Sequence, residues 1–160
     1  MALLSILAMA CCGLIAVQDF RERAVLWFLF PLLGILLGLM HLLQTDVIQF
    51  LWFTGANVLL LTGIILILFL HSTYILRKKF INVSLGAGDI LFFYAFALGF
   101  PTMTFIILFT GSVLFSLVLF FVLKRIRHIH TVPLAGLMGL FLIAVFIIDT
   151  FPLTPSLYLF

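Results

Sequence analysis

Ser84-Leu85-Gly86-Ala87-Gly88-Asp89-Ile90-Leu91-Phe92 sets a single carboxylate in an otherwise apolar run, with glycines one and three residues ahead of it. How this stretch is read decides whether residues 80–99 form a membrane helix, a broken one, or none. An ionisable side chain close to hydrocarbon is costly unless water, a partner or a proton accompanies it, so Asp89 marks a candidate functional site. Gly86 and Gly88 leave no side chain around the turn, which permits close backbone approach and gives a substrate backbone room to bind. The plainer alternative is a helix start packed tightly against a neighbour, with Asp89 as its cap or first-turn anion.

The surroundings favour a membrane. Hydrophobic residues make up 66% of the chain and charged ones only 8%, with a mean hydropathy of +1.46, more apolar surface than a soluble domain buries. A soluble enzyme or a nucleic-acid binder is excluded on that ground. At about 20 residues per span, six spans occupy about 120 residues. The expected architecture is therefore all-α, a single polytopic membrane domain over 1–160 with six transmembrane helices. No basic residue precedes the first apolar run, which argues against a cleavable signal peptide. Cys11 and Cys12 are adjacent, so on a helix they point in different directions and read as small buried hydrophobes rather than a metal clamp or bridge.

Apolar runs place the spans at about 3–18, 25–43, 47–70, 80–99, 102–123 and 132–148. The fourth is expected to be broken or capped at the glycine–aspartate stretch, with its regular part beginning near Gly88. Arg21 and Arg23 follow the first span, Arg77, Lys78 and Lys79 the third, and Lys124, Arg125 and Arg127 the fifth. These are all eight lysines and arginines of the chain. With six spans every one falls on one face, which the positive-inside rule makes cytoplasmic, leaving both termini non-cytoplasmic. The same parity puts Asp19 and Asp89 together at the cytoplasmic face and Asp46 and Asp149 at the other.

Two carboxylates that approach closely repel, so one holds its proton more tightly and the pair shares it. Such a pair suits peptide hydrolysis: the charged member takes a proton from water while the protonated one polarises the scissile carbonyl. This chemistry needs no cofactor and no metal, and the sequence has no strong metal-ligand spacing. His128 and His130, with His71 on the same face, would hold zinc only if their loops converged; a solvated basic loop facing lipid headgroups is the default. Asp46, Asp149 and His41 read as loop polarity at the other face. Arg21, Glu22 and Arg23 read as headgroup anchors.

These motifs resemble those of a known family. Asp19-Phe20-Arg21-Glu22-Arg23-Ala24-Val25 is similar to the first motif of the type IV prepilin peptidases, an aspartate followed by basic residues and a branched apolar one. Gly86-Ala87-Gly88-Asp89 matches their second, glycine, any residue, glycine, aspartate. Val132-Pro133-Leu134-Ala135-Gly136 is loosely similar to the proline- and glycine-bearing start of their last helix. The resemblance covers nearly the whole chain. It implies a membrane aspartic peptidase of the prokaryotic inner membrane, with its active site toward the cytoplasm, that removes a short basic leader from prepilin- or pseudopilin-like membrane precursors.

The resemblance further implies that Asp19 and Asp89 are the catalytic pair and that Gly86 and Gly88 shape the substrate-binding loop. Membrane lipid and the precursor are the expected partners. Some members also methylate the new N-terminus with an extra N-terminal region often carrying paired Cys-x-x-Cys motifs. Without such a region, this chain is similar to the short, peptidase-only members. It departs from the pattern at Leu26, where many members have proline, and at Leu91, where a lysine is common. Two alternatives stay open at this point: a family-like assembly component without catalysis, and a small proton- or cation-coupled transporter using the same aspartates.

Overall fold

The computed structural model describes residues 2–22, 24–75, 86–127, 133–150 and 157–158. Six helices account for nearly all of them, and no strand occurs among the described residues. In chain order they are α1 (Ala2–Glu22), α2 (Leu29–Gln44), α3 (Val47–Leu70), α4 (Ala87–Ala97), α5 (Thr102–Arg127) and α6 (Leu134–Asp149). A five-residue π-helical turn, His71–Ile75, continues α3. Arg23, Arg77, Lys78, Lys79, His128 and His130 lie outside the described residues, as does the 80–85 part of the expected fourth span.

Three helices, α1, α3 and α5, are long and apolar enough to cross a membrane, whereas α2, α4 and α6 are shorter. The apolar windows of α3 and α5 are each only 11% buried, so most of their side chains face outward. Trp52, Leu59 and Ile107 are among the most exposed large side chains. A water-soluble protein of this size could not present such faces, whereas hydrocarbon accepts them. A membrane protein follows.

Small residues set how closely the helices approach. α1 packs antiparallel along α6, with Gly136 over the Ala16 backbone and Gly139 over the Cys12 carbonyl. α2 runs parallel to α4: Gly34 sits over Ala95, Gly38 over Leu98, and Leu37 meets Gly99. Gly34 and Gly38 stand four apart on one face of α2, the spacing that lets membrane helices bring their backbones together. Between these pairs lies a core of Phe92, Phe96, Phe100 and Phe105, with Phe109 edge-on to Phe93 and Phe96. Cys11 and Cys12 are free thiols within the same core.

α4 is short for local reasons. Gly86 has extended backbone (φ −69°, ψ 141°), so helical hydrogen bonding begins only at Ala87. This start lies one residue from the position expected near Gly88. At the other end Leu98, Gly99 and Phe100 turn, and Pro101 leads into α5. The expected span over 80–99 is therefore not one continuous helix: its described helical part is 11 residues, about 16 Å of rise.

Substituting the close-packed and the open glycines should separate packing from propensity. A Cβ at Gly139 would stand 3.2 Å from the Cys12 carbonyl oxygen, which is backbone and cannot swing aside. Gly139→Val is expected to destabilise by about 1–3 kcal/mol. Gly55 and Gly63 have open space around them, so Gly55→Ala should leave stability unchanged or raise it by about 0.5–1 kcal/mol. Thermal unfolding of purified protein in detergent reads both.

Candidate active site

Asp19 lies in the last turn of α1 and Asp89 in the first turn of α4, and both carboxylates end on the start of α6. The Ala135 N–H donates to Asp89 Oδ1 at 3.0 Å. The next amide, Gly136 N–H, donates to Asp19 Oδ2 at 2.7 Å. Successive amides of a helix are offset by only about 1.5 Å along the axis, so the two carboxylates sit side by side across one helix N-terminus. That end exposes N–H groups with no intrahelical acceptor and carries the positive end of the helix dipole, and both features favour anions.

Why α6 starts there can be read from its sequence. Pro133 has no N–H to leave unsatisfied, and its carbonyl accepts the first helical bond from Leu137 at 3.0 Å. Ala135 and Gly136 are both buried and small, which lets two acidic side chains reach their backbone. Gly136 is constrained most tightly: a Cβ there would lie 3.1 Å from Asp19 Oδ2, 3.2 Å from Asp19 Cβ and 3.3 Å from Ala16 Cα. These amides are site groups that residue-type reasoning misses. The only signal for them was Pro133 followed by small residues.

The glycines of the second motif have distinct surroundings. Gly86 is the N-cap of α4, and a Cβ on it would stand 2.9 Å from Asp89 Oδ2, so its smallness makes room for the carboxylate to fold back over the helix start. Gly88 faces Phe30 of α2, whose ring would be 3.2 Å from an added Cβ. Both aspartates are half-buried. The expected pair is thus brought together by the fold, with one glycine against the carboxylate and the other against a packing ring.

The remaining candidates disperse. Arg21 and Glu22 are exposed at the end of α1, and Lys124 and Arg125 are exposed near the end of α5; by connectivity both groups lie at the carboxylate end. Asp46 and Asp149 mark the opposite end. His41 does not join them as loop polarity: it is fully buried, and its Nδ1 lies 3.0 Å from the Leu98 carbonyl, to which it donates. Among the described residues no three His, Cys, Asp or Glu side chains converge. At position 26, the Leu26 N–H donates to Gln18 Oε1 at 3.0 Å, a bond proline could not make, and it ties the α1–α2 connection to the last turns of α1.

Gly136→Ala should therefore act on Asp19 and on the α1–α6 contact together, because the added methyl also meets the Ala16 backbone. The added methyl is expected to displace the Asp19 carboxylate from its amide and to cost about 1–3 kcal/mol of stability. Ala135→Gly, which keeps its N–H, should cost about 1 kcal/mol or less. Unfolding midpoints of the two variants in one detergent provide the comparison. The chain matches no protein-family model, no curated protein and no solved structure, so its site is defined by this geometry alone.

Proposed function

We propose that this protein is a membrane aspartic endopeptidase of the prepilin peptidase type. It cleaves the basic leader from a prepilin- or pseudopilin-like precursor at the cytoplasmic face of a prokaryotic inner membrane. The observation that carries this reading is the convergence of Asp19 and Asp89, from helices distant in sequence, on the consecutive amides of Ala135 and Gly136. A structural carboxylate needs one such partner; two side by side on one helix end repel each other and need a further reason to be there. The exposed Arg21, Lys124 and Arg125 at that end support a cytoplasmic orientation under the positive-inside rule. Six membrane crossings, with both termini on the other side, are part of the proposal.

In this mechanism the pair holds one proton. The ionised aspartate takes a proton from a water molecule lying between the two carboxylates, and the protonated one donates a hydrogen bond to the scissile carbonyl. Water oxygen attacks the carbonyl carbon, giving a tetrahedral diol whose breakdown transfers a proton to the leaving nitrogen. The products are the carboxylic acid of the leader and the free amine of the mature chain. The α6 amides keep both carboxylates fixed through the cycle, so little reorganisation accompanies the proton transfers. Gly86, at the N-cap of α4, leaves room for the Asp89 carboxylate over the helix start, while the space at Gly88 is taken by the Phe30 ring.

Leu91 favours a second reading. It occupies a position where the family commonly has lysine and is 42% exposed, offering no charge beside Asp89. A noncatalytic assembly component with the same fold would retain the aspartates for structure alone.

Cleavage of a membrane-inserted precursor with a basic leader decides between them. Wild type should cleave, and Asp19→Asn and Asp89→Asn should each lose at least about 100-fold in rate, with membrane insertion unchanged. Activity surviving in either variant would sink the two-aspartate mechanism, and an inactive, well-folded wild type would favour the assembly role. The pH–rate profile should be bell-shaped, because both the doubly protonated and the doubly ionised pair lack one of the two roles.

A further inference from the structure

α4 carries Asp89 near its start, and its other end is held by polar side chains that the proposed reaction does not use. Asn57 of α3 is fully buried and spends both Nδ2 protons on that end, donating to the Ala97 carbonyl at 3.0 Å and to the Phe100 carbonyl at 2.8 Å. His41 of α2, also fully buried, donates from Nδ1 to the Leu98 carbonyl at 3.0 Å. Two side chains from two helices thus take three carbonyls in the last turn of α4 and the bend after it. Its flanks are different in kind. They are rings and small residues, Phe92, Phe93, Ala95 and Phe96, whose contacts are non-directional. A further bond to α3, from the Tyr94 hydroxyl to Thr62 Oγ1 at 3.0 Å, hangs on a long and partly exposed side chain.

We infer that Asn57 and His41 are positioning residues for Asp89: they fix the axial position of α4, and so the height at which its carboxylate meets the Ala135 amide. A helix is stiff along its axis, and Asp89 and Ala97 lie about 12 Å apart on one uninterrupted helix, so an axial shift at one end appears at the other. Asp19 belongs to α1, and none of these three hydrogen bonds ends there. Loss of the anchor therefore changes one half of the pair and spares the other. The inference rests on the peptidase reading for its kinetic consequence only; the mechanical link stands on the hydrogen bonds.

The test uses the full chain, 15N-labelled in lipid nanodiscs, with Asn57→Leu as the variant. Leu61→Ala, at another fully buried position of α3, serves as a control for general loosening. In Asn57→Leu, amide exchange at Ala135 should accelerate about ten-fold or more while Gly136 stays within about two-fold of wild type. In the precursor assay kcat should fall about 10- to 100-fold at unchanged KM. An unaltered Ala135 amide overturns the inference, as does equal acceleration of both amides matching that of Leu61→Ala. If Asn57→Leu does not fold, His41→Phe, which keeps a ring beside Phe50, Phe53 and Tyr158, is read by the same two amides. A responsive Ala135 in a protein that cleaves no precursor would uphold the positioning role and reject the peptidase. Cleavage with an unresponsive Ala135 would do the reverse.

Discussion

Two carboxylates bound to neighbouring amides of one helix end form the constraint around which the molecule is assembled. The N–H groups at the start of α6 have no acceptor within their own helix, and in an apolar surrounding each would be costly if left unpaired. Asp89 satisfies one and Asp19 the next. Three helices that are not consecutive in the chain, α1, α4 and α6, are therefore tied at a single level by two short polar contacts. The three helix ends are held together at that level, and the apolar faces above follow from it.

Those faces follow through small residues. Gly136 and Gly139 bring α6 onto Ala16 and Cys12, and Gly34 and Gly38 bring α2 onto Ala95 and Leu98. Lipid offers no hydrophobic drive between helices, so close van der Waals packing must supply the association. A single methyl at Gly136 or Gly139 would separate α1 from α6 where the carboxylate geometry depends on their contact. Phe30, pressed against Gly88, does the same for α2 and the start of α4.

Much of this arrangement is legible in the sequence, and its limits have physical causes. The all-helical character and the shared level of Asp19 and Asp89 follow from hydropathy and from where the lysines and arginines fall. The length of α4 does not: the glycines signal a start near Gly88, but the apolar run over 90–100 gives no sign that the helix ends at Ala97. The amides of Ala135 and Gly136 are invisible to residue-type reasoning because a backbone donor has no letter of its own. His41 is misread as loop polarity for a related reason. Its partner is a backbone carbonyl 57 residues away, and nothing near position 41 announces that the end of α4 will need a donor there. Leu26 is the converse case: its letter says nothing polar, yet its backbone N–H binds the Gln18 side chain.

The brevity of α2, α4 and α6 has a consequence for the lipid around them. α2 and α6 rise about 24 Å and α4 about 16 Å, against a hydrocarbon layer about 30 Å thick. Beside them stand α3 and α5, at about 36 and 39 Å. One bilayer thickness cannot match both sets. Either the layer thins where the short helices meet it, or their ends sink below the headgroups and draw water in after them. Either outcome leaves the short helices with less hydrocarbon around them than α3 and α5 have.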